Sequence, residues 1–333
     1  MKKRVYFYVN GTPRLVQSCL IAIRNYPNIP KHLILLEQYG YNYDHVLPLV
    51  QDFFDQVHVL KIANNKYSHI NQWINVYFNP FIKLRKIFQV NSEVVLFGIR
   101  SPAQKFIIRF NKKLESRVVV YAESLAVDRY FFPKQGKDGV LRIFMKKLFS
   151  RAFEFQHDYD EFHVHFKRMY KKSPWFNKLC DMGNLFDAQA SVLAERFLNE
   201  ETLAPLREFD VVFFGQPIVD FYDKCGQEKE LLKKIIGNKK VLIIPHPIEK
   251  KLEKYHILPN AFVYKTTAPV ELLLLKLSPS QTMTYHSTAG IQYAKMNPNA
   301  RNQFYPLHQD QWNTLKRYQE FLPNIVIYDQ FVR

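Results

Sequence analysis

Val5-Tyr6-Phe7-Tyr8-Val9, followed at once by Asn10-Gly11-Thr12-Pro13, decides the fold class of this 333-residue chain. Five consecutive apolar or aromatic residues bounded by turn signals fit a strand covered on both faces. The turn then supplies a glycine for the bend, a threonine as N-cap and a proline preset for the first helical position. That is the opening of a βα unit. Further apolar runs at His32 to Glu37, Val57 to Ile62, Glu93 to Ile99 and Arg117 to Tyr121 are spaced by helix-length segments, which predicts a doubly wound parallel sheet.

A second series begins at Asp210 with Val-Val-Phe-Phe-Gly215-Gln-Pro217 and continues with Lys240 to Ile244, Ala261 to Tyr264, Thr282 to Tyr285 and Ile325 to Tyr328. Helical patterns lie between, notably Gln227 to Ile236 and Pro269 to Leu277. The fifty or so residues before Asp210 carry weak strand signals and read as linking helices. A chain of 333 residues is long for one core and about right for two. The expected fold class is therefore α/β with two Rossmann-like domains facing a central cleft, divided as 1–205, with the helical linker, and 206–333.

Composition narrows the function classes. The net charge of +17 implies an anionic partner: nucleic acid, an anionic lipid surface, or a phosphorylated or acidic glycan. Only 10 glycines are present, so glycine-rich RNA-binding segments are excluded. Cys19, Cys180 and Cys225 are far apart with no C-x-x-C pair, which indicates neither a disulfide framework nor a zinc site. A cytoplasmic setting fits this usage. No apolar stretch reaches the ~18 residues of a membrane span, so any membrane contact is expected to be peripheral. Val140 to Phe153 is apolar with Arg142, Lys146, Lys147 and Arg151 and no acid, and Lys167, Arg168, Lys171 and Lys172 follow. This stretch is either a surface for anionic lipid or a core-facing helix with a cationic outer side.

Three segments of the last third carry chemistry. His246 stands between Pro245 and Pro247 directly after an apolar run, so it is held extended at a strand end, where an imidazole can meet a phosphate. Ser287 and Thr288, with Gly290, stand before a helix expected from Ile291, where hydroxyls and free amides favour an anion. Glu271 falls in the first turn of an apolar helix, placed to accept hydrogen bonds from ribose hydroxyls. Each has a plain alternative: a loop histidine, an ordinary N-cap, a dipole partner. Their spacing unites them, because the sixteen residues from 271 to 287 make one helix and one strand and return the chain to the same sheet edge.

The ordered set of His-Pro, Pro-x-Glu and Ser-Thr, with Phe-Gly215-Gln-Pro217 opening the domain, resembles the bacterial sialyltransferases of GT-B fold. The likeness is to glycosyltransferase family 52, the lipooligosaccharide and capsule group, and to its polysialyltransferase relatives. It implies transfer of sialic acid or a related acidic sugar from a CMP donor to a surface glycan, at the cytoplasmic face of the inner membrane. By that resemblance His246 contacts the donor phosphate and assists departure of CMP, Ser287 and Thr288 bind the same phosphate, and Glu271 holds the ribose. By the same resemblance Gly215 and Pro247 are expected to line the nucleotide pocket. No metal and no cofactor beyond the CMP-sugar are expected, since one imidazole, two hydroxyls and a helix start suit a departing phosphate monoester.

The family's acidic pair with a following glycine corresponds here to Ala122-Glu123-Ser124, so Glu123 is the candidate base and Asp128 the reserve. Asp158-Tyr159-Asp160 matches the D-x-D of metal-dependent transferases but lacks the expected preceding strand. His163 and His165 alternate with apolar residues as in a strand, and without a third ligand nearby they read as a structural coincidence rather than a metal site. Two other functions fit parts of the pattern: an NDP-hexose transferase of the same fold, and a basic nucleic-acid-binding protein, a partner class the resemblance does not lead one to expect.

Overall fold

The computed structural model describes residues 3–37, 43–61, 79–99, 102–122, 158–218, 225–247 and 249–328. The chain divides into two compact units, Met1–Leu185 and Phe186–Arg333.

In the first unit the described residues form a seven-stranded parallel sheet in the order β3-β2-β1-β4-β5-β6-β7. Its strands are β1 (Val5–Val9), β2 (Lys31–Glu37), β3 (Gln56–Lys61), β4 (Glu93–Phe97), β5 (Arg117–Tyr121), β6 (Glu161–Val164) and β7 (Leu179–Asp181). Helices α1 (Thr12–Asn25), α2 (Asn79–Ile87) and α3 (Pro102–Lys113) connect them. β1 and β4 are buried along their whole length, which is why they read as unbroken apolar runs. Gly11 caps α1 with φ at 102°, a backbone that glycine adopts freely, so the cap falls one residue before the expected Thr12.

The second unit repeats the plan with a six-stranded parallel sheet, β10-β9-β8-β11-β12-β13. The strands are β8 (Val211–Phe214), β9 (Val241–Ile244), β10 (Ala261–Val263), β11 (Gln281–Thr284), β12 (Arg301–Phe304) and β13 (Ile325–Ile327). Its longer helices are α4 (Ala188–Phe197), α5 (Cys225–Ile236), α6 (Val270–Leu277), α7 (Thr288–Met296) and α8 (Gln309–Gln319). A core of Phe213, Leu232, Ile236, Ile243, Met283 and Tyr285, with neighbours, packs this sheet against its helices.

In their own strand sequence the second sheet runs 3-2-1-4-5-6, the order of dinucleotide-binding folds, and the first runs the same order with a seventh strand added, and each has its switch point between the first and fourth strands. The α/β expectation is met in both halves. The division of the chain falls twenty residues before the expected 205/206 boundary. The reason is packing: α4 lies against α6, and Lys276 of α6 pairs with Glu195 of α4 at 2.9 Å. The stretch expected to be only linking helices also contains β6 and β7.

Candidate functional site

Ligands of such sheets sit beyond the carboxyl ends of the strands at the switch point. In the second unit that point lies at β8, with β9 on one side and β11 on the other. Gly215-Gln216 leaves β8, Pro245-His246-Pro247 leaves β9, and Tyr285-His286-Ser287 leaves β11. From β9 to β11 is two strand spacings, roughly 10 Å, the span of a nucleotide phosphate with a side chain on either side. α6 and α7 pack together, and both begin at this same edge, since helices of such crossovers run opposite to the strands. His246, Ser287, Thr288, Gly215 and Glu271 are thus collected at one edge of one sheet.

A buried ionic cluster locks the three loops. The Lys254 ammonium stands between two carboxylates, 2.6 Å from Glu228 Oε1 and in close contact with Glu249 Oε1, and all three side chains are at most 1% exposed. Lys254 Nζ also donates to Gln216 O at 2.9 Å. Glu249 Oε2 accepts from the His246 amide at 3.0 Å while the Glu249 amide donates back to His246 O at 2.8 Å, closing the turn that carries the imidazole. Tyr255 Oη donates to Glu249 Oε1 at 3.0 Å. Burial, then the nearby Glu249, pushes the Tyr255 phenol far above its usual range. Gln216 Nε2 donates to His286 O, tying the β8 loop to the β11 loop.

This cluster explains Gly215. A Cβ there would stand 2.2 Å from Tyr255 Oη and 2.7 Å from Glu249 Oε2, so any side chain would split the ring of hydrogen bonds. Sequence reasoning singled out Gly215 but missed Glu228, Glu249, Lys254 and Gln216. The charges of Glu249-Lys-Lys-Leu-Glu-Lys254-Tyr255 look like a solvated face, and only a pairing across 26 residues, from 228 to 254, distinguishes them.

The His246 side chain is exposed overall, yet the protein packed around its ring withholds enough water to lower its pKa from 6.5. Ser287 occupies the N-cap of α7 with extended backbone, but its hydroxyl makes no capping hydrogen bond to the helix. The helix starts at Thr288, three residues before the expected Ile291. Gly290 lets α7 approach the sheet: a Cβ would lie 3.0 Å from Phe304 Cζ and 3.2 Å from Thr284 Cγ2. Glu271, in the first turn of α6, is 7% exposed, and burial raises its carboxyl pKa against the lowering effect of its own backbone amide. A buried carboxyl beside a helix start is a strong acceptor for ligand hydroxyls. Pro247 is exposed beside His246.

In the first unit the picture differs. Glu123 and Asp128, the candidate bases, lie outside the described residues, as do residues 140–153 of the basic stretch. Asp160 is committed to structure: it pairs with Lys112 Nζ at 2.7 Å and accepts from the Val118 amide at 2.7 Å. Those contacts hold the chain at the amino ends of β5 and β6, the edge opposite the strands' carboxyl ends, so Asp160 of the D-x-D match serves the scaffold. His163 lies in β6 with Glu161 and Cys180 close by, a grouping that distance in sequence concealed. His165 is buried just past the strand. Of the basic run at 167–172, Arg168, Lys171 and Lys172 are exposed, while Lys167 lies over the Phe176 ring at 4.8 Å. No helix among the described residues is long and apolar enough to cross a membrane.

No family model matches the sequence, and no curated protein matches it either. Solved structures do match by fold. The UDP-GlcNAc 2-epimerase of Methanocaldococcus jannaschii, in complex with UDP-GlcNAc and UDP, superposes with a TM-score of 0.62 at 14% identity, over 98% of this chain and 89% of that one. The α/β-galactoside α-2,3-sialyltransferase of Photobacterium phosphoreum gives 0.59 at 11% identity, over 98% and 99%. The GT-B domain of a sialyltransferase from Photobacterium damselae gives 0.52 at 11% identity, over 97% of each chain. At these identities the likeness is one of fold: the chain has the GT-B architecture of two Rossmann-like α/β units.

Proposed function

We propose that this protein is a glycosyltransferase that moves sialic acid or a related acidic sugar from a CMP donor to a bacterial surface glycan, lipooligosaccharide or capsule, working peripherally on the inner membrane. One observation carries the donor site: His246, Ser287, Thr288 and Glu271 stand at the carboxyl edge of a single sheet, around its switch point, with a serine hydroxyl not used as a cap. The order of the motifs that resembles family 52 supports the same assignment.

In this mechanism the α7 amino terminus, Ser287 and Thr288 bind the phosphate that links cytidine to the sugar. As the glycosidic bond breaks, charge gathers on that phosphate, and His246 meets it with a proton or an N–H. Glu249 and Lys254 keep the His246 turn in place. Glu271 accepts from the ribose hydroxyls. A carboxylate of the first unit, Glu123 or in reserve Asp128, takes the proton of the attacking hydroxyl. These groups meet the leaving charge without calling on a divalent ion, so chelation is expected to leave turnover intact.

The decisive experiment is thermal protection by nucleotides, since a ligand that binds only the folded state raises the unfolding temperature. CMP is expected to protect and AMP is not. Protection by UDP instead would assign an NDP-hexose donor, in keeping with the UDP-bound epimerase that shares the fold. Protection by neither, with binding that collapses steeply as salt rises, would point to a nucleic-acid partner.

A further inference from the structure

The β6–β7 end of the first sheet carries a second cluster that the transferase reading does not use. Glu161 and His163 are two residues apart on β6 and therefore share a face. Cys180 of β7 is the register partner of His163 and lies on that face too. The three ligand-type atoms all lie within 4.8 Å of one another, and His163 Nε2 is 3.2 Å from Glu161 Oε2. Ligands of a tetrahedral Zn²⁺ stand roughly 3.3–3.7 Å apart, so side-chain adjustments of about 1 Å close the trio on an ion.

The surroundings are those of an outer shell. Arg117 Nη2 grips Glu161 Oε1 and so aims the other oxygen, Oε2, at His163. Arg117 Nη1 in turn bonds Glu93 at 3.2 Å, and Glu93 is only 2% exposed. The His163 ring is stacked flat on Tyr121, with centroids 4.4 Å apart and planes 15° from parallel, and Asn25 Nδ2 fixes the Tyr121 hydroxyl at 3.2 Å. Partners that set the rotation of a ligand in this way are the usual second layer of a metal centre. Glu93 is paired with Lys3 at 3.0 Å as well as with Arg117, and a Cys180 thiolate with Glu161 would supply two negative charges to a divalent cation.

We propose that Glu161, His163 and Cys180 form a site for one Zn²⁺-type divalent cation, which ties β6 to β7 and keeps a fourth position for water or an incoming ligand. Nitrogen, sulfur and carboxylate donors together select a borderline-soft ion over Mg²⁺ or Ca²⁺. β6 and β7 are short, at four and three residues, and β7 ends the sheet. A cross-strand clamp is placed where the sheet has fewest ladder bonds.

The test uses the full chain, stripped with a chelator and exchanged into metal-free buffer. Titration with Zn²⁺ alone is expected to show one equivalent bound and a rise in unfolding temperature, and Co²⁺ is expected to give a thiolate-to-metal charge-transfer band. Cys180→Ser should abolish that band and weaken Zn²⁺ by about 100-fold or more, and His163→Gln should weaken it comparably. Arg117→Lys, which loosens the outer shell alone, should cost about tenfold. A Co²⁺ spectrum of the wild-type protein without a thiolate band overturns the proposal whatever the variants do. So does a band, or a Zn²⁺ affinity, that survives unchanged in Cys180→Ser. Nucleotide protection is read in the same samples, so loss of the donor-site reading and loss of the metal site are separate results.

Discussion

In each unit a cation stands between two carboxylates, with Lys3 also on Glu93 in the first, and the two groups serve different ends. In the second unit Lys254 between Glu228 and Glu249 is fully enclosed, with every member at most 1% exposed. In the first unit Arg117 between Glu93 and Glu161 lies on a sheet face with exposures of 42%, 2% and 33%. The enclosed triad has no water to substitute for a lost partner and holds three loops in register at the edge proposed to take the donor. The open triad has water within reach and merely orients one carboxylate. Burial, rather than the identity of the charges, sets what each is worth.

Lys254→Met should have the largest effect on the protein. It leaves two buried carboxylates facing each other, and breaking such a pair costs about 3–5 kcal/mol. Calorimetric unfolding should show this loss, with CMP protection gone because the His246 turn and the Gln216 carbonyl have lost their anchor. A loss under about 1 kcal/mol would mean that the triad is not dry.

His246→Ala comes next and acts on function alone. Removing one group that meets developing charge costs about 10²–10³ in turnover, while the unfolding temperature should hold, since the side chain is exposed. The pH dependence has a definite sign. Desolvation holds the imidazole below 6.5 in the free protein, and an anionic phosphate favours the charged ring. The advantage of wild type over His246→Ala in CMP affinity should therefore grow as pH falls through that range. A difference that is flat with pH would remove the imidazolium from the site.

Glu271→Gln separates binding from stability. A hydrogen bond to a charged group contributes about 1.5–3 kcal/mol, so CMP affinity should fall by roughly 10- to 150-fold. The folded-state pKa is raised, so the ionised carboxyl costs stability as pH rises through that pKa, and the neutral amide should unfold later at pH 7 than wild type. Weaker binding with a higher unfolding temperature is the expected pair of results. Unchanged CMP affinity would return Glu271 to a purely helical role.

Much of this frame could be read from the residues. β1 and β5 fall on the expected bounds because buried parallel strands are written as apolar runs, Gly215 and Ser287 mark where such runs stop, and Glu271 marks where an apolar helix starts. β12 could not be read this way. Its sequence Arg-Asn-Gln-Phe is polar, yet Asn302 and Gln303 are buried because Thr282 Oγ1 meets Asn302 Oδ1 at 2.7 Å and Tyr305 Oη meets Gln303 Oε1 at 2.9 Å. Polar pairs of that kind satisfy a strand without an apolar pattern. The buried triad and the Glu161–His163–Cys180 group were hidden for a related reason: their partners are brought together by sheet order, which no local window reports.

The smallest expected effect sharpens the comparison most. Glu161→Gln removes a carboxylate from the open triad but leaves Arg117 with Glu93, and both Arg117 and Glu161 already reach water. The metal-free protein should lose less than about 1 kcal/mol, and the loss should shrink further as salt screens the pair. The Lys254→Met deficit should barely respond to salt, because its charges lie beyond the ions' reach. If Glu161→Gln instead cost as much as Lys254→Met, exposure would not be what divides the two triads. The first unit's ladder of charges would then be a core element rather than a surface that positions a ligand.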